Sequence, residues 1–205
     1  MHDRVEAVRI GREGWRGDYR RVARALGVVA LAAPGQGWPA SPPGLCGVLH
    51  DHGFSTLCID LDLPAGMPDL AAVTQRMLEA LDWLRDTGTG MPVGLFGHGL
   101  GATAALQAAA TKPSRASALV VRTASPEALG PRLAQLQAAT LLIVGDDDAA
   151  MLRAHRQAMR LLGGAKRLEV VPGAGLHGAD TAALDTVAHL AADWFARHLP
   201  AARLH

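Results

Sequence analysis

The sequence predicts an α/β fold: a mostly parallel, eight-stranded sheet with an N-terminal antiparallel hairpin and helices on both faces. Three observations carry this. Runs such as GVVALAA (27–33) and TLLIVG (140–145) are apolar without alternation, as strands covered on both faces require. Between such runs lie stretches with apolar residues at helical spacing. The two patterns alternate along most of the chain, which is the signature of βαβ units and a parallel sheet.

The elements follow in order. RVEAVRI (4–10) and WRGDYRR (15–21) read as two short strands joined from Gly11 to Gly14. After strand 27–33 comes a Pro/Gly loop, 34–44, then a short helix to about residue 52. FSTLCID (54–60) is the next strand. DLAAVTQRMLEALDWLRD (69–86) is a helix, with Asp69 placed to cap its start and Gly88 past its end. Strand 92–97 leads into helix 99–112, stopped by Pro113. Strand 117–122 is followed by a short helix near 127–137, and strand 140–145 by helix 149–162, ended by Gly163-Gly164. Strand 167–172, a glycine-rich loop and a last helix, 180–198, complete a single domain over 1–205. Right-handed crossovers put the loops that follow the strands along one edge, where sites of such sheets lie.

Composition narrows the function. A length of 205 residues and 49 % hydrophobic content suit one full core. A net charge of +1 offers no general field for nucleic acid or a membrane surface. Residues 1–24 hold seven Arg against four acids, read as a solvated strand face. Cys46 and Cys58 form no disulfide framework and have no metal spacing, and Cys58 reads as core. The N-terminus has no apolar run of a signal peptide, and no stretch reaches the roughly 18 apolar residues of a membrane span. A cytoplasmic protein without metal or cofactor is expected.

The segment GLFGHGLGATAAL (94–106) carries the chemistry question. A strand runs into a glycine-rich turn that opens an alanine-rich helix. A dinucleotide-binding turn is the alternative, but it belongs after an early strand of the sheet. With ATLLIVGDDD (139–148) and LEVVPGAGLHG (168–178), this segment resembles the α/β-hydrolase superfamily, in particular small dienelactone-hydrolase-like members without a lid. Fewer than twenty residues separate the sixth and seventh strands, too few for a lid. The resemblance covers nearly the whole chain and implies a three-layer α/β-hydrolase fold.

What the resemblance implies about residues is mixed. The family keeps a nucleophilic serine in G-x-S-x-G, on a strained turn that exposes its oxygen. Here the run is Gly97-His98-Gly99-Leu100-Gly101, so Gly99 holds the nucleophile position with no side chain to attack. His98 is common at its position, and the N–H of Leu100 would face an oxyanion. From Gly145 the family's G-x-x-D spacing selects Asp148 as the acid, and Asp148 is equally placed to cap the following helix. In the family's PGA-x-H register, Leu176 takes the histidine's place and His177 comes one residue late. Relatives carry His-Gly in the loop after the third strand. This chain has Pro34-Gly35, and Pro34 has no N–H to give. Thr103, Ser41 and Cys58 lack the arrangement of a replacement nucleophile.

Three readings follow. The favoured one is a hydrolase-fold protein without hydrolysis, a pseudoenzyme that binds a small molecule or a partner. The second is an ester or lactone hydrolase with an unusual nucleophile. In the third, His177 oriented by Asp148 acts as a general base. Departures at three separate catalytic elements favour the first.

Overall fold

A computed structural model describes residues 5–32, 44–61, 69–87, 90–175, 178–179 and 181–199. Strands β1 (Val5–Ile10) and β2 (Trp15–Arg20) form the expected hairpin. Gly11 (φ 71°) and Gly14 (φ 63°) close it in the left-handed region that glycine enters without penalty. The remaining strands of the main sheet are β3 (Gly27–Ala32), β4 (Phe54–Ile59), β5 (Val93–His98), β6 (Ala118–Arg122), β7 (Ala139–Val144) and β8 (Lys166–Val170). Their order is β1-β2-β4-β3-β5-β6-β7-β8, with β2 antiparallel to both β1 and β4 and the other neighbours parallel. This is a three-layer α/β-hydrolase fold.

Every residue of β3 and β7 is buried, which explains their unbroken apolar runs. On one face, α2 (Leu70–Asp86), α3 (Leu100–Thr111) and α4 (Ala149–Leu161) pack a core containing Val73, Met77, Ala105 and Ala158. On the other, α1 (Leu45–Asp51) and α5 (Thr181–His198) pack Leu49, Phe54, Val187 and Phe195. Asp69 caps α2 as its sequence suggested, its carboxylate accepting from the Ala72 N–H at 2.7 Å.

Three readings need correction. The segment expected as a short helix at 127–137 is a pair of 3₁₀ turns within Pro126–Gln135, broken at Gly130 (φ 51°, ψ −132°). Pro131 follows, and a proline cannot donate to a continuing helix. Two extra strands, β9 (Ala174–Gly175) and β10 (Gly178–Ala179), pair antiparallel within what read as a glycine-rich loop. Cys58 is half-buried at the margin of the core rather than inside it.

The order reverses at β3: the chain goes from β3 to β4 on one side, then returns to β5 on the other. The carboxyl ends of β3 and β5 therefore form the switch point where open α/β sheets bind ligands. Gly99 stands just past the end of β5. Among the described residues, no helix is long and apolar enough to cross a membrane.

Candidate functional site

Gly99 links β5 to α3 without an intervening loop and has φ 56°, ψ −119°. A side chain is strained in that conformation, and glycine accepts it. The turn is closed from three directions. The Gly99 N–H donates to the Arg122 carbonyl (3.0 Å), and the Gly99 carbonyl accepts from Ala102 N (3.1 Å) and Thr103 N (3.2 Å). Its two flanking glycines are sterically required. A Cβ on Gly97 would fall 2.5 Å from Ala102 Cα, and a Cβ on Gly101 would overlap the Ala32 carbonyl. Leu100 is half-buried and packs on the core below α3. The Thr103 hydroxyl accepts from Ser125 N at 2.9 Å and is buried, so it is not a replacement nucleophile.

His98 ends β5 beside Arg122, its register partner on β6. Its Nδ1 lies 3.0 Å from Thr123 Oγ1, and that hydroxyl donates to the Arg122 carbonyl at 2.8 Å. With its proton on that carbonyl, the hydroxyl can accept from Nδ1 in the Nδ1–H tautomer. Thr123 holds this position with φ 50°, a left-handed conformation uncommon for a β-branched residue. Burial, and then the Arg122 charge, lower the His98 pKa from 6.5 to about 4. The ring is therefore neutral at pH 7. Between pH 6.5 and 4 the unfolded chain binds the proton and the folded one does not. The stabilising contribution of neutral His98 is thus full above the unfolded value and lost as pH falls toward 4. The His98 ring signal in an NMR titration is expected to move near pH 4, and a midpoint above 6 would contradict this environment.

Arg122 is the residue that sequence reasoning missed. It is 2 % exposed. Its Nε donates to the Ala174 carbonyl (3.0 Å) and its Nη2 to the Gly175 carbonyl (2.7 Å). Burial lowers its pKa, and Asp147 opposes that. One residue thus ties the Gly99 turn, through its carbonyl, to β9, through its guanidinium. The available signal was a charged residue closing the apolar run ALVVR at the carboxyl edge of the sheet.

The three aspartates after β7 have separate contacts. Asp146 accepts from the Gly173 N–H at 3.2 Å. The Asp147 carboxylate lies against Gly145 and Gly175, where a Cβ on Gly145 would fall 2.5 Å from Oδ1. Asp148 caps α4, accepting from Ala150 N (3.0 Å) and Met151 N (2.9 Å), as one of its two sequence readings required. Pro34, Gly35, Ser41, Leu176 and His177 lie outside the described residues. The structure brings together Gly99, His98, Arg122 and the β9 segment that immediately precedes Leu176 and His177.

Comparison with known proteins agrees with this architecture. The dienelactone hydrolase of Anabaena variabilis superposes with a TM-score of 0.85 at 31 % identity, covering 97 % of this chain and 98 % of that one. This chain belongs to the dienelactone-hydrolase-like branch of the α/β-hydrolase fold. A hydrolase of Thermoplasma acidophilum shares the fold at a TM-score of 0.72 and 16 % identity, over 96 % of this chain and 100 % of its own. Two proteins of Mycobacterium tuberculosis, named as candidate phosphoribosyl transferases, are 38 % identical over 161 residues, 74 % of this chain. The chain spans about a third of the length of those curated relatives, 36 %. No protein-family model matches.

Proposed function

We propose that this dienelactone-hydrolase-like domain has lost ester hydrolysis and keeps a small-molecule site at the carboxyl ends of β3 and β5. The observation that carries the reading is Gly99 itself. It sits on the strained strand-to-helix turn, with φ 56° and ψ −119°, and offers no atom to attack a carbonyl. The neighbouring imidazole gives no substitute. A His98 with a pKa of about 4 is a weak general base at neutral pH. The Leu100 N–H, at the start of α3, suits an anionic or carbonyl group of a bound ligand. The transferase name of the longer relatives does not enter this reading, because the shared segment is only 36 % of their length.

A second reading stays close behind, supported by 31 % identity with a dienelactone hydrolase over the full fold. There the chain is a lactone or ester hydrolase in which His177, oriented by Asp148, activates water. Aryl-ester and lactone turnover by the purified chain separates the two. The first reading expects none above background, and expects small carboxylates or lactones to raise the melting temperature. Turnover that survives Gly99→Ala and disappears with His177→Ala would establish the second and overturn the first.

Restoring the serine gives a sharper result. Gly99→Ser places a non-glycine residue at φ 56°, with a cost on the order of 1–3 kcal/mol. The variant should fold, melt lower than the parent and remain a poor esterase, because a serine without a placed base is a weak nucleophile. Gly99→Ser combined with Leu176→His should exceed either single change, since nucleophile and base act as a unit. If Gly99→Ser alone hydrolyses aryl esters at rates typical of an esterase, His177 already serves as the base.

A further inference from the structure

The two cysteines sit on different elements and meet. Cys46 lies in the first turn of α1 and Cys58 near the end of β4, with their Sγ atoms 3.6 Å apart. We propose that Cys46 and Cys58 form a reversible oxidation site, which a hydroperoxide converts to an intramolecular disulfide.

A disulfide needs the sulfurs about 2.05 Å apart, so a closure of roughly 1.5 Å completes the bond. Cys46 is buried in the first turn of the seven-residue α1, and Cys58 is half-buried near the carboxyl end of β4. Cys46 sits at the margin of the core, and Cys58 supplies the exposed side of the pair. Cys46 is held below the usual thiol range, chiefly by the hydrogen bond from Cys58, with Thr56 and the Arg20 charge adding to it. Cys58 is pushed up, first by that same hydrogen bond and then by burial. The pair is therefore asymmetric, with Cys46 the more acidic thiol and Cys58 the less acidic one.

The chemistry balances in two steps. The Cys46 thiolate attacks one peroxide oxygen: an S–O bond forms, the O–O bond breaks, and the departing hydroxide takes up a proton to leave as water. The Cys46 sulfenic acid then meets the Cys58 sulfur. An S–S bond forms, the S–O bond breaks, and the hydroxyl leaves as a second water with the Cys58 proton. The two thiols lose two electrons and two hydrogens, and hydrogen peroxide takes both. A dithiol reductant reverses the sequence by thiol exchange.

The bond would tie the first turn of α1 to β4, at the sheet edge that also carries Gly99.

The test uses the full chain, whose only cysteines are these two. It is treated with a small molar excess of hydrogen peroxide, digested without reduction and mapped by mass spectrometry, with free thiols counted in parallel. The expected result is a peptide pair joining Cys46 to Cys58, loss of both free thiols and full recovery with dithiothreitol. The melting temperature should rise by roughly 5 °C on oxidation. In Cys58→Ser, oxidation should stop at a sulfenic or sulfinic Cys46 with no rise in melting temperature. Three results would overturn the proposal. They are thiols that persist while methionines oxidise, sulfinic or sulfonic products without the cross-link, and disulfides found only between chains.

Discussion

Gly101→Ala is expected to be the most damaging single-methyl change in this protein. The added Cβ would overlap the Ala32 carbonyl oxygen and lie 2.9 Å from the carbonyl carbon, both of them backbone atoms at the end of β3. No rotamer can relieve a backbone clash, so α3 would have to move away from β3. Adding volume to a packed interior costs typically 1–3 kcal/mol, and this position belongs at or above the upper end. The helix propensity gain of alanine, at most about 1 kcal/mol, does not offset it. Gly47→Ala in α1 is the control. Its Cβ would meet nothing within 4 Å, so the propensity gain should stand alone and the variant should be neutral or slightly stabilised. Urea denaturation of both variants checks the pair. Equal midpoints for Gly101→Ala and Gly47→Ala would show that β3 and α3 are not in close backbone contact. The turn before α3 would then lose its steric basis, and with it the placement of Gly99.

Arg122→Met should lower stability by an amount on the order of 3 kcal/mol. Methionine keeps much of the volume and removes the charge, so the loss reports polar contacts rather than a cavity. The Ala174 and Gly175 carbonyls would lose their donors at 3.0 and 2.7 Å, and Asp147 would lose its cationic neighbour. Arg122→Lys should rescue little, because one ammonium cannot reproduce the fork that reaches two adjacent carbonyls. The effect should also be local. Hydrogen exchange across 173–179 is expected to speed up more than in β3 or β7, since β9 is a two-residue strand held to the site by this guanidinium. Binding of any ligand found by thermal shift should weaken in parallel, because β9 leads directly into Leu176 and His177. Unchanged exchange in 173–179 would refute this bridging role.

Much of the architecture was legible in the sequence because it rests on local patterns. The apolar runs of β3 and β7, the helical spacing and Asp69 cap of α2, and the glycines around position 99 all act within a short window. Periodicity and capping are physical there without knowledge of the partner. The segment at 127–137 misled because its apolar spacing suits a helix, whereas the Gly130-Pro131 pair, a backbone effect, breaks it. For Asp148, the capping role was readable from the next few residues.

The sequence by itself therefore determined the alternation of strands and helices, the turn at Gly99 and the absence of a side chain there. Only the tertiary structure decided which neighbours that turn would have. Arg122 reaches carbonyls 52 and 53 residues further along the chain. His98 is neutral because the fold buries it next to that arginine. Cys46 and Cys58 are twelve residues apart in sequence and become a dithiol only when α1 folds back over β4. Such contacts depend on how layers stack, and a change of crossover would rearrange them without altering any local pattern. A short window of sequence specifies an element through its own hydrogen bonds and periodicity. Charge states and reactive pairs come from burial and proximity, which exist only once the layers have packed.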